Sequence, residues 1–229
     1  MICLYLYAYI LCYEKNSQLD MLITLKEIIG KYEPNVNGVL HIGAHHAEEA
    51  QSYYDCGVNN VIWIEADPDT FKVLKNLIQV YPNHKAYCFA ASDIDNKDVE
   101  FHIASNGESS SMLRMDKHLQ HHPHISIIGK IKVKTRIVDN FLKEEKIDLK
   151  KYNFLNLDIQ GAELMALKGM KESLKEIDYV YSEVNTAELY RKCARIEEID
   201  IYLSQFGFKR VETKMTEYEW GDALYMKQK

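Results

Sequence analysis

The sequence lacks paired cysteine motifs, and its basic residues do not outnumber its acidic ones. The five cysteines are scattered, odd in number and form no CxxC pair, which predicts reduced thiols and a reducing, cytoplasmic compartment. The formal net charge is −6, and tight binding to a long nucleic acid usually needs a basic face. A nucleic-acid partner is therefore not expected.

No hydrophobic run is long enough to cross a bilayer, so no stable membrane span is expected. The apolar, tyrosine-rich stretch 1–13 has no Lys or Arg ahead of it and no small-residue cleavage site. It is predicted to pack on the domain or to precede a true start at Met21, and targeting is the less favoured alternative. The length suits one well-buried domain. We expect an apolar segment and leading helix over 1–30 and a single domain over 31–229.

Apolar runs alternate with helical patterns along most of the chain. The last two runs, 208–213 and 223–226, have no helix between them and should pair antiparallel. This order predicts an α/β fold, a doubly wound, mostly parallel sheet with helices on both faces and a reversed C-terminal strand at one edge. The parallel strands are predicted near residues 38–42, 61–65, 86–91, 153–157 and 179–184.

Helices and one irregular segment connect the predicted strands. Residues 47–54 are predicted as the first crossover helix, and a long helix is predicted with an apolar face from Leu189 to Phe206. Residues 105–129 have no clear periodicity, which is typical of a functional loop or lid in a compact domain. The histidines around Pro123 favour a solvated loop or a lid over a structural metal site.

A glycine and a carboxylate mark the first two strands. Gly43 breaks the first apolar run and Glu65 ends the second; they lie about 20 residues apart, the distance at which a carboxylate meets the ribose of a nucleotide-like ligand. Glycine lets the ligand approach the backbone closely. The full G-x-G-x-x-G motif is missing, because His45 and Glu48 stand after Gly43. A nicotinamide-dependent oxidoreductase is therefore the disfavoured alternative.

Polar residues gather where the predicted parallel strands end. In an open α/β sheet, the ligand binds beyond these carboxyl ends. The alternative is that strand ends are polar only because they meet water. The polar groups are residues 41–46, 65–67, 92–93, 158–161 and 183–185.

The order of these motifs, from about residue 38 to residue 208, resembles the FkbM family of S-adenosylmethionine-dependent methyltransferases. The resemblance implies a Rossmann-like class I methyltransferase fold, S-adenosylmethionine as cofactor, and methylation of a hydroxyl oxygen, often on a sugar or a polyketide-type product. A glycan or small-molecule acceptor is therefore expected. The matching blocks are His41-Ile-Gly43-Ala-His45, Glu65-Ala-Asp67-Pro68, Ser109-Ser-Ser-Met112, and Leu157-Asp158-Ile-Gln160-Gly161-Ala-Glu163-Leu164 followed by Leu167-Lys168-Gly169.

The resemblance also implies roles for individual residues. Gly43 and Ala44 would lie under the methionine part, and Glu65 would accept the ribose hydroxyls. Asp93 would reach the adenine, and Asp158 would face the methyl-transfer site. The expected cofactor-binding set is His41, Gly43, Ala44, Glu65, Ala66, Asp67, Ser92, Asp93 and Asp158.

Three positions depart from the family pattern. His41 stands where the family usually has Asp, Ala47 where it has a second Gly, and Gln160 where it commonly has Glu. A protonated His cannot accept from the cofactor's ammonium group, whereas Ala costs little if the backbone there is helical. A non-catalytic binding module that kept the fold is the alternative that His41 and Ala47 motivate.

The catalytic candidates are Asp158, His45 and Glu183. The sulfonium carbon of the implied cofactor is already activated, so the enzyme chiefly aligns an oxygen nucleophile and supplies a base for its proton. Asp158 is expected to be that base or a metal anchor, with helix N-capping as the alternative. His45 could accept the proton or merely pack at a helix start. Asp158 and Glu183 could together hold a divalent cation.

Overall fold

The computed structural model describes residues 21–228. The apolar stretch 1–13 lies outside the described residues, and none of the helices in the described part is both long and apolar enough to cross a membrane. The helices are α1 (Leu25–Tyr32), α2 (Ala50–Asp55), α3 (Pro68–Leu77), α4 (His118–His121), α5 (Val138–Glu144), α6 (Glu163–Lys168), α7 (Ser173–Glu176) and α8 (Ile196–Ser204). The strands are β1 (Val39–Ile42), β2 (Val61–Glu65), β3 (His84–Cys88), β4 (Ala90–Ala91), β5 (Asp98–Ala104), β6 (Ile127–Arg136), β7 (Phe154–Leu157), β8 (Tyr179–Asn185), β9 (Phe208–Met215) and β10 (Trp220–Lys227).

The main sheet has the strand order β3-β2-β1-β7-β8-β10-β9. β1 pairs in parallel with both β2 and β7, so the chain order reverses at β1, where a ligand crevice is expected. The doubly wound α/β fold is therefore confirmed. β10 runs antiparallel to β8 and to β9, which confirms the predicted reversal. Its predicted place at the edge is wrong, because the β9–β10 hairpin folds back onto β8 and leaves β9 at the edge.

A smaller sheet, in the order β4-β6-β5, follows β3 in the chain. The single strand predicted over 86–91 is divided between the two sheets. The N–H of Phe89 still bonds to the carbonyl of Glu65 on β2 (3.0 Å), but Ala90–Ala91 pair with β6 instead. The chain thus leaves the main sheet before the polar residues that were expected to end this strand.

The stretch after β8 is less helical than predicted. A helix over Leu189–Phe206 is wrong in its first half, and α8 occupies only the later part. The carbonyl of Leu189 accepts the N–H groups of Asp116 and His118 (2.8 and 3.2 Å). This stretch therefore pairs with the segment before α4, and the carbonyl of Leu189 is unavailable for a helix.

The leading helix α1 is part of the domain core. Thr24 and Glu27 form a capping box that starts α1. Leu25 and Ile28 are buried in one hydrophobic cluster with side chains of the main sheet, among them Tyr181 on β8 and Leu224 on β10. The boundary expected between 30 and 31 therefore falls inside a helix that packs on the main sheet. The opposite face of the sheet is covered by α5, α6 and α8.

Candidate active site

The carboxyl ends of β1, β2 and β7 meet around Gly43. The N–H of Gly43 bonds to the carbonyl of Ile64 (2.9 Å), and the N–H of Asp158 bonds to the carbonyl of Ile42 (3.0 Å). Gly43 has a φ of 91°, and a Cβ at this position would lie 1.5 Å from the carbonyl oxygen of Asp158. Only glycine fits this contact, which sets Asp158 directly beside the turn after β1.

A cleft opens over this contact in two parts. One part is mostly apolar, and the other is more polar. Gly43, His45, Glu108, Asp158 and Gln160 line both parts, so they mark the junction. The apolar part is lined by Ile42, Ile64, Ala66, Phe89, Phe101 and Met112. The polar part adds His41, Ala44, Glu48 and Glu49.

Glu65 is the buried carboxylate of the apolar part. One of its oxygens accepts the N–H of His45 and the other accepts the N–H of Asp67, both at 2.8 Å. Burial raises the pKa of Glu65 to about 7, although the two N–H donors oppose the shift. Each carboxylate oxygen has a second acceptor position. Glu65 can therefore accept two further hydroxyl groups in a fixed geometry.

The turn after Gly43 is not helical. His45 and Ala47 have left-handed backbones, with φ of 40° and 60°. The helix predicted to start at 47 is wrong in its first turn, because α2 begins only at Ala50. Alanine would replace glycine at little cost only if the backbone at position 47 were helical, and this backbone is not helical. A non-glycine residue in this conformation carries a strain of about 1 kcal/mol.

The two histidines of this turn are joined through Glu48. Nδ1 of His45 lies 2.7 Å from one oxygen of Glu48, and the N–H of His46 donates to the other at 3.1 Å. Burial opposes protonation of His45, but Glu48, Glu65 and Glu108 outweigh it and raise the pKa of His45. Within the described chain, ligand atoms of His45, His46 and Glu48 lie within 4.8 Å of one another, so the three could hold a metal ion.

His41 is part of an aromatic cluster under the polar part. Its Nδ1 lies 3.1 Å from the hydroxyl of Tyr53, and its ring centroid lies 4.8 Å from that of Trp63. Burial lowers the pKa of His41 to about 3. The ring is therefore neutral, and it neither repels nor neutralises a cationic ligand group. Negative charge at this end of the cleft comes from Glu48 and Glu49.

Asp158 follows the last residue of β7, and Glu183 lies on the neighbouring strand β8. The side chain of Gln160 bonds to both. Nε2 of Gln160 donates to Oδ1 of Asp158 (2.8 Å) and to Oε2 of Glu183 (3.0 Å). Asp158 is exposed, whereas Glu183 is only 4% exposed. Burial, followed by the charges of Asp158 and Glu163, raises the pKa of Glu183 well above its ordinary value. The amide thus occupies the place where a cation would bridge the two carboxyl groups.

Glu163 fixes the turn that carries Asp158. One oxygen of Glu163 accepts the N–H groups of Ile159 and Gly161, both at 3.0 Å. Burial raises the pKa of Glu163 to about 7. The N-cap of α6 is Ala162, so the capping role considered for Asp158 is wrong.

Ser92 and Asp93 do not line either part of the cleft. Ser92 is buried and its N–H donates to the carbonyl of Arg136 (3.0 Å), while Asp93 is exposed. The residues just before them in the chain, from Phe89 to Ala91, do line the apolar part. The other expected cofactor residues are brought together around the cleft.

Several lining residues carry no signal that singles them out in the sequence. Phe101 comes from β5, and Glu108 comes from the segment that follows it. Burial first, then the charges of Glu48 and Asp158, raise the pKa of Glu108. The alternation of residues 99–103 indicates a strand, and nothing in it indicates that Phe101 would face a ligand.

The reversal of β10, the crevice where the chain order reverses, and the fixed carboxylate at the end of β2 are those of a Rossmann-like methyltransferase. The family described as the methyltransferase FkbM domain matches residues 41–210, most of the chain. The chain belongs to the FkbM family and is an S-adenosylmethionine-dependent methyltransferase. It is 26% identical over 177 residues to the 2-O-methyltransferase NoeI of Sinorhizobium fredii (strain NBRC 101917 / NGR234), an alignment that covers 72% of this chain and 70% of the relative.

The fold is shared with a solved structure at low sequence identity. M. capricolum TrmK in complex with S-adenosyl-homocysteine is 9% identical, with a TM-score of 0.50, over 92% of this chain and 70% of that chain. A TehB-like SAM-dependent methyltransferase from Corynebacterium glutamicum is also 9% identical, with a TM-score of 0.48, over 97% of this chain and 96% of that chain.

The residues present fit S-adenosylmethionine. The apolar part of the cleft suits a flat base, and the fixed oxygens of Glu65 suit the two ribose hydroxyls. Glu48, Glu49 and Glu108 around the polar part give negative charge opposite a ligand that carries positive charge on sulfur and nitrogen.

Proposed function

We propose that this methyltransferase transfers the methyl group of S-adenosylmethionine to a hydroxyl oxygen of a glycan or small molecule. The observation that most supports this proposal is the position of Asp158, an exposed carboxylate at the junction of the two parts of the cleft. Methylation of a hydroxyl is helped when a base takes its proton. The similarity to a 2-O-methyltransferase supports oxygen as the acceptor atom.

The shape of the cleft supports one orientation of the cofactor. The apolar part would hold the adenine, and Glu65 would accept the ribose hydroxyls. Gly43 and Ala44 would hold the methionine part toward the acidic, polar part. Asp158 would then face the sulfonium group at the junction.

The protein's own residues then have two roles, which are to accept a proton and to orient the acceptor. The bound cofactor supplies a methyl carbon activated by a positively charged sulfur. Transfer of that carbon to the acceptor oxygen would break its bond to sulfur and would leave the electron pair of that bond on sulfur. Asp158 takes the hydroxyl proton, and the walls of the cleft hold the oxygen in line with the breaking bond.

Asp158 is better suited to this role than His45 or Glu183. Nδ1 of His45 is engaged by Glu48, and its Nε2 faces Gly107, where an added Cβ would lie 3.1 Å away. Glu183 is buried and favours its protonated form. No divalent cation is needed between Asp158 and Glu183, because the Gln160 amide already bridges them.

The proposal is tested with S-adenosylmethionine carrying an isotope-labelled methyl group and a panel of saccharides and small hydroxyl compounds. Mass spectrometry and NMR of the product then locate the methyl group. A labelled O-methyl product supports the proposal. Labelling of nitrogen or carbon instead, or cofactor binding without turnover on any acceptor, contradicts it, and the latter favours a non-catalytic binding module.

A further inference from the structure

Two adjacent histidines and a glutamate meet at the turn after β1. Nδ1 of His45 lies 2.7 Å from Oε1 of Glu48, and Nδ1 of His46 lies 4.0 Å from the same oxygen. The centroids of the two imidazole rings are 4.0 Å apart. One nitrogen of each ring and one carboxylate oxygen lie within 4.8 Å of one another. None of the roles considered so far uses this convergence of three side chains.

The backbone of the turn brings the two histidines to the same carboxylate. In an extended strand, successive side chains point to opposite faces, so adjacent histidines would not face one group. His45 instead has a left-handed backbone, with a φ of 40°. The carboxylate of Glu48 also accepts the N–H of His46 at 3.1 Å. The main chain of the turn therefore helps to hold the three side chains together.

The spacing of these atoms suits a tetrahedral metal ion. Zinc binds imidazole nitrogen and carboxylate oxygen at about 2.0–2.2 Å, so two of its ligand atoms lie about 3.4 Å apart. The distances from Oε1 of Glu48 to the two histidine nitrogens, 2.7 and 4.0 Å, lie on either side of that separation. An ion would replace the contact between His45 and Glu48 and draw His46 closer, with shifts of under about 1 Å.

The charge around the cluster favours a cation. Glu65 and Glu108 act electrostatically on His45, and Asp67 acts on His46. Among the described residues that line the two parts of the cleft, none is Lys or Arg. A concave surface that carries charge of one sign concentrates ions of the opposite sign.

The types of ligand atom indicate which cations would bind. Mg²⁺ and Ca²⁺ prefer oxygen ligands and high coordination numbers. Two imidazoles and one carboxylate instead suit zinc and similar transition metals, and three protein ligands leave a position open on a four-coordinate ion. This site is separate from the pair formed by Asp158 and Glu183, whose ligands are all carboxylate oxygens.

The histidines around Pro123 provide an internal comparison. Nε2 of His121 lies 3.0 Å from Oε2 of Glu219. The ring centroids of His118 and His122 are 4.9 Å apart, and those of His122 and His124 are 6.0 Å apart. In the part of the chain that the structure describes, these residues do not bring three ligand atoms together as the turn after β1 does.

We propose that His45, His46 and Glu48 bind a zinc-type transition-metal ion, and that this ion and the cofactor exclude each other. His45 and Glu48 line the polar part of the cleft. The exclusion rests on the proposed function, in which this part holds the methionine end of the cofactor. A bound ion would engage the Glu48 carboxylate and add positive charge beside a ligand that is cationic on sulfur and nitrogen.

The metal site is tested by calorimetric titration of the full chain, without a polyhistidine tag, with zinc chloride. We expect one tight site in wild type and no binding of magnesium chloride at the same concentrations. His46→Phe keeps a ring but removes the ligand nitrogen. Its Kd for zinc should rise at least about a hundredfold, because even groups that only support a metal ligand contribute about 10- to 100-fold to metal affinity.

Glu48→Gln is the second variant, since it changes the same site without replacing a ring, and its affinity for zinc should also fall. Circular dichroism shows whether each variant is folded. His121→Phe is the matched control, because it removes a histidine that is bonded to one carboxylate, and it should keep the wild-type Kd for zinc. A zinc Kd that is the same in wild type, His46→Phe and Glu48→Gln overturns the metal site.

The exclusion is tested by titrating S-adenosylhomocysteine with and without zinc. At a free zinc concentration ten times its Kd, competition should raise the Kd of S-adenosylhomocysteine about tenfold in wild type. His46→Phe should show almost no effect of zinc, and it also controls for chelation of zinc by the ligand in solution. Zinc that binds at the site but leaves the affinity for S-adenosylhomocysteine unchanged or higher overturns the exclusion and contradicts the proposed orientation of the cofactor.

Both titrations measure binding and need no acceptor. Failure to methylate any hydroxyl compound would therefore contradict only the proposed function. Loss of zinc binding in His46→Phe and Glu48→Gln, together with competition in wild type, would support the metal site whatever the acceptor is.

Discussion

The backbone of Gly43 lies directly against the carbonyl oxygen of Asp158. A Cβ on Gly43 would come within 1.5 Å of that oxygen, so the turn after β1 and the end of β7 can meet only through a glycine. This contact joins the turn under the cofactor to the proposed base. The geometry of the junction is therefore set by backbone atoms.

Gly43→Ala should destabilise the protein strongly. The substitution meets both a φ of 91° and a backbone clash, and we expect a loss of about 3 kcal/mol or more in the free energy of unfolding. Urea unfolding measures it. Gly57→Ala is the matched control, because Gly57 has a φ of 79° but open space around it, so its loss should be only about 1 kcal/mol. Equal losses would show that the contact with Asp158 does not matter.

Asp158→Asn should separate chemistry from cofactor binding. The amide keeps the size of the side chain but cannot take a proton, so kcat on an identified acceptor should fall about 10²- to 10⁴-fold. Calorimetry with S-adenosylhomocysteine should show affinity within about threefold of wild type. Asp69→Asn, at an exposed carboxylate on α3, is the control. Undiminished turnover by Asp158→Asn would rule out Asp158 as the base.

Asp93→Ala should leave cofactor affinity unchanged. The family resemblance assigns this carboxylate to the adenine, but the side chain is exposed and lies outside the cleft lining. The calorimetric Kd for S-adenosylhomocysteine should stay within about twofold of wild type, since no contact is lost. Phe89→Ala, on the cleft wall itself, should weaken binding. The opposite pattern would mean that the adenine lies nearer to Asp93 than the cleft indicates.

The central features were predictable because they follow from local patterns. Gly43 and Glu65 each end an apolar run, and Asp158 ends another. Parallel strands place such ends at one edge of the sheet. The strand pattern of the sequence therefore predicts that these three residues lie in one site.

Other parts of the site depend on pairing between distant segments. Phe89 is the last residue to bond to β2 before the chain crosses to β6, and no local pattern distinguishes that step from a continuing strand. Tyr190 reaches Gln160 because its stretch pairs with the segment before α4. At Ala47 the local pattern predicted a helix, and the tertiary turn imposes a left-handed backbone instead.

Cofactor affinity should weaken as the pH falls below about 7. Burial raises the pKa of Glu65 to about 7 in the ligand-free protein, and ribose hydroxyls donate best to the ionised form, so binding favours loss of the proton. Because the pKa is raised on folding, Glu65 also makes the ligand-free protein less stable as the pH rises from the ordinary carboxyl range to about 7. Calorimetry from pH 5.5 to about 8.5 tests the binding trend. Glu65→Gln should bind weakly, with a flatter pH dependence.

The most direct measurement is the affinity of wild type and Glu65→Ala for S-adenosylhomocysteine, determined by calorimetry at pH 8, with circular dichroism to confirm that both are folded. The loss of two hydrogen bonds to a charged acceptor should cost about 3 kcal/mol, or about a hundredfold in Kd. A Kd about a hundredfold higher for Glu65→Ala supports a cofactor held by Glu65 in the cleft between β1 and β2. An unchanged Kd would contradict that placement.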